Sequence, residues 1–249
     1  MQIRARRLLS RPWRGLARRV LLALCLLPPG VATAQTILSA GYDMPTTRYP
    51  HGVLGDSIEH ITLVLDLSTG EEKRFVLPDE LVFEDTAPRL ADLDGDGAAE
   101  VIVVESSQTS GARLAIYGPN GRIAATPHIG TRFRWLAPVG AADLDGDGRV
   151  EVAFVDRPHL AKTLNVYRFE DGRLTQWAML SGLTNHRIGE RDIAGGIRTC
   201  RGHPEMIVAS ANWASLVAVS FKAGEWVQTP IGTDTSRAAF AQAMACLPE

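Results

Sequence analysis

The chain has 249 residues, 45% of them apolar and 22% charged, with 26 Lys and Arg set against 28 Asp and Glu. That is the composition of an ordinary globular protein with apolar residues enough for a good core. Beyond the first 34 residues no cluster of cations marks a nucleic-acid surface, which excludes that class of partner.

The first 34 residues differ from the rest. Arg4, Arg6, Arg7, Arg11, Arg14, Arg18 and Arg19 precede the apolar run "VLLALCLLPPGVATA", which ends in small residues. This is the pattern of a secretory signal peptide cleaved after Ala34. Its apolar core is too short to span a bilayer as a permanent helix, and no later stretch is long enough. Cys25 lies between Leu24 and Leu26, a poor match to a lipid-attachment site. Arg6-Arg7 and Arg18-Arg19 leave the twin-arginine route open beside the general one. Removing the leader takes away seven basic residues and no acidic ones, leaving 19 against 28 and a net charge of −9. The expectation is an acidic exported protein of the bacterial periplasm or exterior, without a membrane span.

The remainder repeats. "ITLVLDLSTGEEKRFVL" (61–77), "LAIYGPNGRIAA" (114–125), "LNVYRFEDGRLTQW" (164–177) and "LVAVSFKAGEWVQT" (216–229) are each two strand-like runs joined by a turn ending in Gly, the signature of a β-hairpin. The turn glycines Gly70, Gly121, Gly172 and Gly224 lie 51, 51 and 52 residues apart. Another strand-like run precedes each later hairpin: "EVIVVE" (100–105), "EVAFVD" (151–156) and "EMIVAS" (205–210). Units of about 50 residues with room for four short strands are blades of a β-propeller. The fold class is therefore all-β, a small propeller of four blades over residues 35–234, followed by a closing helix in 235–249. That helix is read from a Thr-Ser start, an Ala-rich run, and Phe240 and Met244 four apart on one face. In an oxidising compartment Cys200 and Cys246 pair as a disulfide that pins the helix to the last blade.

Two repeats carry nearly the same acidic string, "DLDGDGAAE" from Asp92 and "DLDGDGRVE" from Asp143. Acids stand at positions 1, 3, 5 and 9, and Gly at 6 permits a sharp turn. Four carboxylates so close repel one another unless a cation sits among them. A many-oxygen loop of this kind suits calcium, with position 7 offering its backbone carbonyl. The ligand sets are Asp92, Asp94, Asp96, Ala98 and Glu100 in the first loop, and Asp143, Asp145, Asp147, Arg149 and Glu151 in the second. The other two repeats keep too few acids for a metal. Asp-Gly pairs are also plain turn formers, but a nine-residue pattern written twice points to two structural calcium sites.

The string D-x-D-G-D-G-x-x-E leading into a strand resembles the calcium loops of FG-GAP and VCBS repeat proteins, which include integrin α-chain propellers and many exported bacterial proteins. The resemblance implies a calcium-binding propeller. Position 9 in that family is more often Asp than the Glu found here, and the literal Phe-Gly and Gly-Ala-Pro words are absent, with Ala87-Pro88 and Ala137-Pro138 as echoes.

No nucleophile elbow, P-loop, zinc-protease helix or dinucleotide fingerprint is present. Repeat register nevertheless places Glu84 and Asp85, Arg134 and Trp135, and Asn185, His186 and Arg187 at one end of the inner strands, with Arg48 and His51 as counterparts in the first unit. Propellers gather ligands there, and Glu84, Asp85, Arg134, Trp135, His186 and Arg187 form a candidate site for a polar ligand such as a sugar or peptide. The same residues could instead be inter-blade salt bridges. The expectation is a non-catalytic binding or scaffolding module with an unidentified protein or glycan partner. The rivals are a hydrolase or lyase acting on a carbohydrate-like substrate at the channel mouth, and a structural subunit of an oligomer.

Overall fold

The computed structural model describes residues 35–200 and 202–247; the leader read at 1–34 lies outside them. The first blade holds β1 (Ile37–Thr46), β2 (Glu59–Leu67) and β3 (Glu72–Val76). The second holds β4 (Leu81–Phe83), β5 (Arg89–Ala91), β6 (Glu100–Ser107), β7 (Gly111–Gly118) and β8 (Gly121–Ala125). The third holds β9 (Leu136–Ala142), β10 (Glu151–Asp156), β11 (Thr163–Glu170) and β12 (Arg173–Ser181). The fourth holds β13 (Leu183–Thr184), β14 (Gly196–Cys200), β15 (His203–Ser210), β16 (Leu216–Lys222) and β17 (Glu225–Gly232), and helix α1 (Arg237–Met244) follows.

All strand pairs are antiparallel, most of them between chain neighbours, and the order β9-β10-β11-β12 of the third blade is the simplest case. In the second and fourth blades the innermost strand is broken in two, as β4 and β5 and as β13 and β14. A single bridge from His60 to Phe83 ties the first blade to the second, so the two share one hydrogen-bonded sheet. These antiparallel sheets, stacked face to face in chain order, make the protein a small β-propeller.

The first unit departs from the four-strand expectation. β1 pairs with β2 along its length and takes the second position that β6 and β10 hold in later blades. No described strand lies beyond it, which leaves three strands. Its free edge carries exposed Ser39, Asp43 and Pro45, residues that discourage pairing with another chain.

Stacking explains why the inner runs are apolar on both faces. On β6, Val101 and Val103 pack towards the first blade, with Leu63, Leu65 and Phe83. Ile102 and Val104 pack towards the third, with Leu136, Val152 and Phe154. β10 repeats this: Val152 and Phe154 join that cluster, while Ala153 and Val155 pack with Leu183, Met206 and Val208 of the fourth blade. β2 lies at an end of the stack, buries Leu63, Leu65 and Leu67, and leaves Asp66 exposed.

Helix α1 takes the place a further blade would occupy against the fourth. Ser236 Oγ caps it by accepting from the Ala239 amide at 3.2 Å. Phe240 and Ala243 then pack on Ile207, Ala209, Leu216 and Ala218. Cys200 and Cys246 are bonded, with Cα atoms 5.9 Å apart and a sequence separation of 46. Closing such a loop contributes roughly 4 kcal/mol in the chain-entropy model. Gly195, at φ +78°, permits this close packing, since a Cβ there would lie 1.9 Å from the Ile207 carbonyl oxygen. The first and last blades meet through loops: the Gly189 amide donates to the Val53 carbonyl at 3.0 Å. Val53, with Leu54 and Ile193, joins the cluster around Leu93 and Ile102.

Candidate functional site

The two Asp-Gly loops join the innermost strand to the next, β5 to β6 and β9 to β10, and fold almost identically. Asp92 accepts from the amides of Gly95 at 2.8 Å and Gly97 at 3.0 Å, and Asp143 accepts from Gly146 at 2.8 Å and Gly148 at 2.9 Å. Buried Glu100 and Glu151 each take a backbone amide with one oxygen, from Leu93 and Leu144, both at 2.9 Å. Carboxylate oxygens of Asp92, Asp94 and Asp96 lie within 4.8 Å of one another, as do those of Asp143, Asp145 and Glu151. Asp147 stands beside the second group, its Oδ1 taking the Arg149 amide at 2.9 Å. The Arg149 side chain turns outward to Glu170 at 3.4 Å. The Ala98 amide is bound by Asp96 at 2.7 Å.

The loops differ in what neutralises them. In the second, Arg168 on β11 donates from Nη2 to Asp145 Oδ2 at 2.8 Å and from Nε to Glu151 Oε1 at 2.8 Å. Its Nη1 lies 3.2 Å from Asp147 Oδ2. These are the oxygens the loop's own amides leave free. Arg168 lies 4.5 Å over the Trp177 ring, which fixes its stem. The corresponding oxygens of the first loop, Asp94 Oδ2, Asp96 Oδ2 and Glu100 Oε1, carry no partner among the described residues. By strand register Val101 pairs with Tyr117 as Val152 pairs with Tyr167, so Gly118, which has no side chain, stands where Arg168 stands in the next blade. Burial pushes the Glu100 carboxyl up, and Asp94, Asp96 and Asp92 push it further. The first loop thus holds converging hard oxygens without a cation of its own, a donor set that fits calcium.

The second candidate region lies at one end of the inner strands. Glu84, Trp135 and His186, each 51 residues from the next, are 0%, 2% and 0% exposed and converge from three successive blades. The Trp135 indole donates to the Glu84 carbonyl at 2.8 Å, and its ring meets His186 edge-on at 4.9 Å. The first blade supplies His51, whose Nδ1 lies 2.6 Å from Glu84 Oε1; Ser106 holds the other oxygen. Burial pushes the Glu84 carboxyl up, against the pull of His51 and Ser106. His159 Nε2 lies 3.0 Å from His186 Nδ1. Burial, with His186 and His51 nearby, holds His159 down to about 4, so its ring is neutral at pH 7.

Over this network opens a cavity of about 200 Å³ lined by His51, Phe133, Arg134, Trp135, Arg157 and His159, with Pro158, Leu160 and Ile188 at its apolar side. Of the six residues expected to form a ligand site, Arg134 and Trp135 line the cavity, and Glu84 and His186 stand directly behind its wall. Asp85 is occupied by Arg89 at 2.6 Å. Arg187 lies 3.7 Å over Trp213 and pairs with Glu190. Asn185 donates inward to the carbonyls of Ala137 and Pro138, and Arg48 to those of Pro78 and Leu81. His159 and Arg168 escape the sequence reading. The one visible signal was an arginine in "LNVYRFEDG" where "LAIYGPNG" has none.

Repeated blades with an Asp-rich loop behind the innermost strand define the class: a propeller of Asp-Gly repeats. Residues 92–154 match the FG-GAP-like repeat family, from the first acid of the first loop through the second loop into β10, so the chain contains an FG-GAP-like repeat. No curated protein matches the chain. Among solved structures, an exo-β-1,3-galactanase from Phanerochaete chrysosporium, crystallised with β-1,3-galactotriose, is similar at 14% identity and a TM-score of 0.40. The similarity covers 80% of this chain and 51% of the galactanase, so the chain spans about half that enzyme's length. No described helix is long and apolar enough to cross a membrane.

Proposed function

We propose that the protein is an exported, calcium-stabilised propeller that binds a small polar ligand, a glycan or peptide unit, at the mouth of its channel without transforming it. In this reading residues 1–34 are the leader, 35–234 the propeller and 235–249 its closing segment. Periplasmic or secreted placement is supported by the Cys200–Cys246 pair and the Arg-rich, apolar N-terminal run.

The observation that carries the binding role is the convergence of Glu84, Trp135 and His186 beneath one open cavity. Repetition brings a residue of each of three blades to the same place, and these three different side chains back the wall of an asymmetric cup on a symmetric frame. Calcium would be held in the first loop by Asp92, Asp94, Asp96, Glu100 and the Ala98 carbonyl. In the second, Asp143, Asp145, Asp147, Glu151 and the Arg149 carbonyl would hold it only in competition with Arg168. The ion supplies charge neutralisation that stiffens each loop.

The test is a panel of glycans and short peptides presented to the calcium-loaded protein. Saturable binding to at least one, weakened tenfold or more by Arg134→Ala, is the expected result. Absence of any binding across the panel would sink the reading. A second reading, hydrolase or lyase, is favoured by the His51–Glu84 contact, because a buried carboxylate on Nδ1 orients an imidazole as a general base. If it holds, the bound ligand will be turned over, and His51→Gln will abolish turnover while binding persists.

A further inference from the structure

We infer that the channel mouth takes a ring-bearing monocarboxylate, a uronic acid or an aromatic acid, with Arg134 as the partner of its carboxylate. The inference rests on the binding role above and adds the charge and size of the ligand.

Charge is decided by what faces the cavity and what does not. Arg134 lines it, and the only hydrogen bond of its guanidinium among the described residues is from Nη1 to the adjacent Phe133 carbonyl at 3.1 Å. No carboxylate among the described residues comes within 4 Å of its guanidinium. Arg157 also lines the cavity but is already held by Asp156, at 3.0 Å from Nε and 2.7 Å from Nη2. The nearby Glu84 carboxylate is turned away, one oxygen on His51 and the other on Ser106. None of the lining residues is acidic. One unpaired guanidinium facing a partly apolar cup calls for one planar anion, and a carboxylate matches its fork with two parallel hydrogen bonds.

His51 adds a second polar contact. Glu84 occupies its Nδ1, which leaves Nε2 as the ring atom available to a ligand. Its imidazole is stacked on Phe133 at 5.1 Å, which limits its rotation. The backbone beneath Arg134 is fixed as well, since its carbonyl accepts from the Ala112 amide at 2.8 Å. The site is therefore preorganised.

Size is decided by volume. A cavity of about 200 Å³ exceeds the ~150 Å³ known to accept a benzene ring and falls short of a drug-sized pocket. One six-membered ring fills it. Trp135, Pro158, Leu160 and Ile188 offer that ring an apolar wall, and Leu160 and Ile188 are 62% and 72% exposed, as uncovered rim residues are.

The test follows tryptophan fluorescence and calorimetry in calcium buffer with four probes: D-glucuronate, benzoate, D-glucose and inorganic phosphate. Glucuronate or benzoate should bind saturably, at least tenfold more tightly than glucose and phosphate, and which of the two binds identifies the source of the carboxylate. Arg134→Gln should weaken that binding tenfold or more. Arg134→Lys should recover part of it, with unfolding midpoints of both variants matching the parent. Equal binding of glucose, equal binding of phosphate, no binding of either carboxylate, or an unchanged affinity in Arg134→Gln would each overturn the inference. If a neutral glycan or peptide from the wider panel binds while both carboxylates fail, this inference falls and the binding role stands.

Discussion

Removing divalent ions with a chelator is expected to lower the unfolding midpoint by about 5–10 °C, with most of the loss traceable to the loop at Asp92–Glu100. A site at a hundredfold excess of ligand over its Kd stabilises the fold by about 2.7 kcal/mol. In a domain of this size each kcal/mol is worth about 2–4 °C. The loops should not share the effect equally, because Arg168 already supplies the second with a positive charge at 2.8 Å from two of its carboxylates. An incoming ion there gains only its advantage over a guanidinium. In the first loop it relieves uncompensated repulsion. Asp94→Asn with Asp96→Asn should therefore abolish most of the calcium-dependent rise in midpoint, and Asp145→Asn should abolish little of it. Arg168→Met should make the second loop respond to calcium as the first does. Calorimetric melting with and without calcium measures all three. A midpoint indifferent to chelator in the parent protein would remove calcium from the account.

Glu59→Gln is expected to stabilise the protein by about 3 kcal/mol at pH 7 and by almost nothing at pH 4.5. Glu59 is 3% exposed, and its carboxyl is pushed up to about 9, chiefly by burial and then by Glu84, Asp56 and Asp85. The folded protein keeps this proton up to about pH 9, while the unfolded chain releases it near 4.5. The favourable contribution of the protonated carboxyl is thus complete below about pH 4.5 and is lost steadily as the pH rises towards 9. Over the 2.5 units from 4.5 to neutrality the loss approaches 1.36 kcal/mol per unit, or about 3 kcal/mol. Glutamine has the same shape and no proton to lose. Urea unfolding of parent and variant from pH 4.5 to 9 should show the curves diverging with rising pH, and parallel curves would mean that Glu59 ionises inside the fold at little cost.

The same carboxylates show how far the sequence carries. Position 9 of each loop reads as a metal ligand in the string alone. In the fold Glu100 and Glu151 also tie the loop shut through the amides of Leu93 and Leu144, a role that spacing does not reveal. Glu59 lies in the first repeat, which keeps too few acids for a metal and gives no sign of an unusual carboxyl. Its high pKa arises because segments far apart in sequence bury it beside Glu84 and Asp85.

The sequence by itself determined the repeat of about 51 residues, the hairpins, the two acidic loops, the pairing partners Cys200 and Cys246, and the register that brings Glu84, Trp135 and His186 to equivalent positions. These follow from periodicity and local turn chemistry, which act over a few residues and leave their mark in order. Only the tertiary structure decided that the first blade has three strands, that Arg187 is spent on Trp213, and that Arg168 enters one acidic loop and not the other. Each of those depends on which side chains meet after the blades stack. Contact energies between residues 20 to 60 places apart are set by three-dimensional proximity, and no local pattern encodes it.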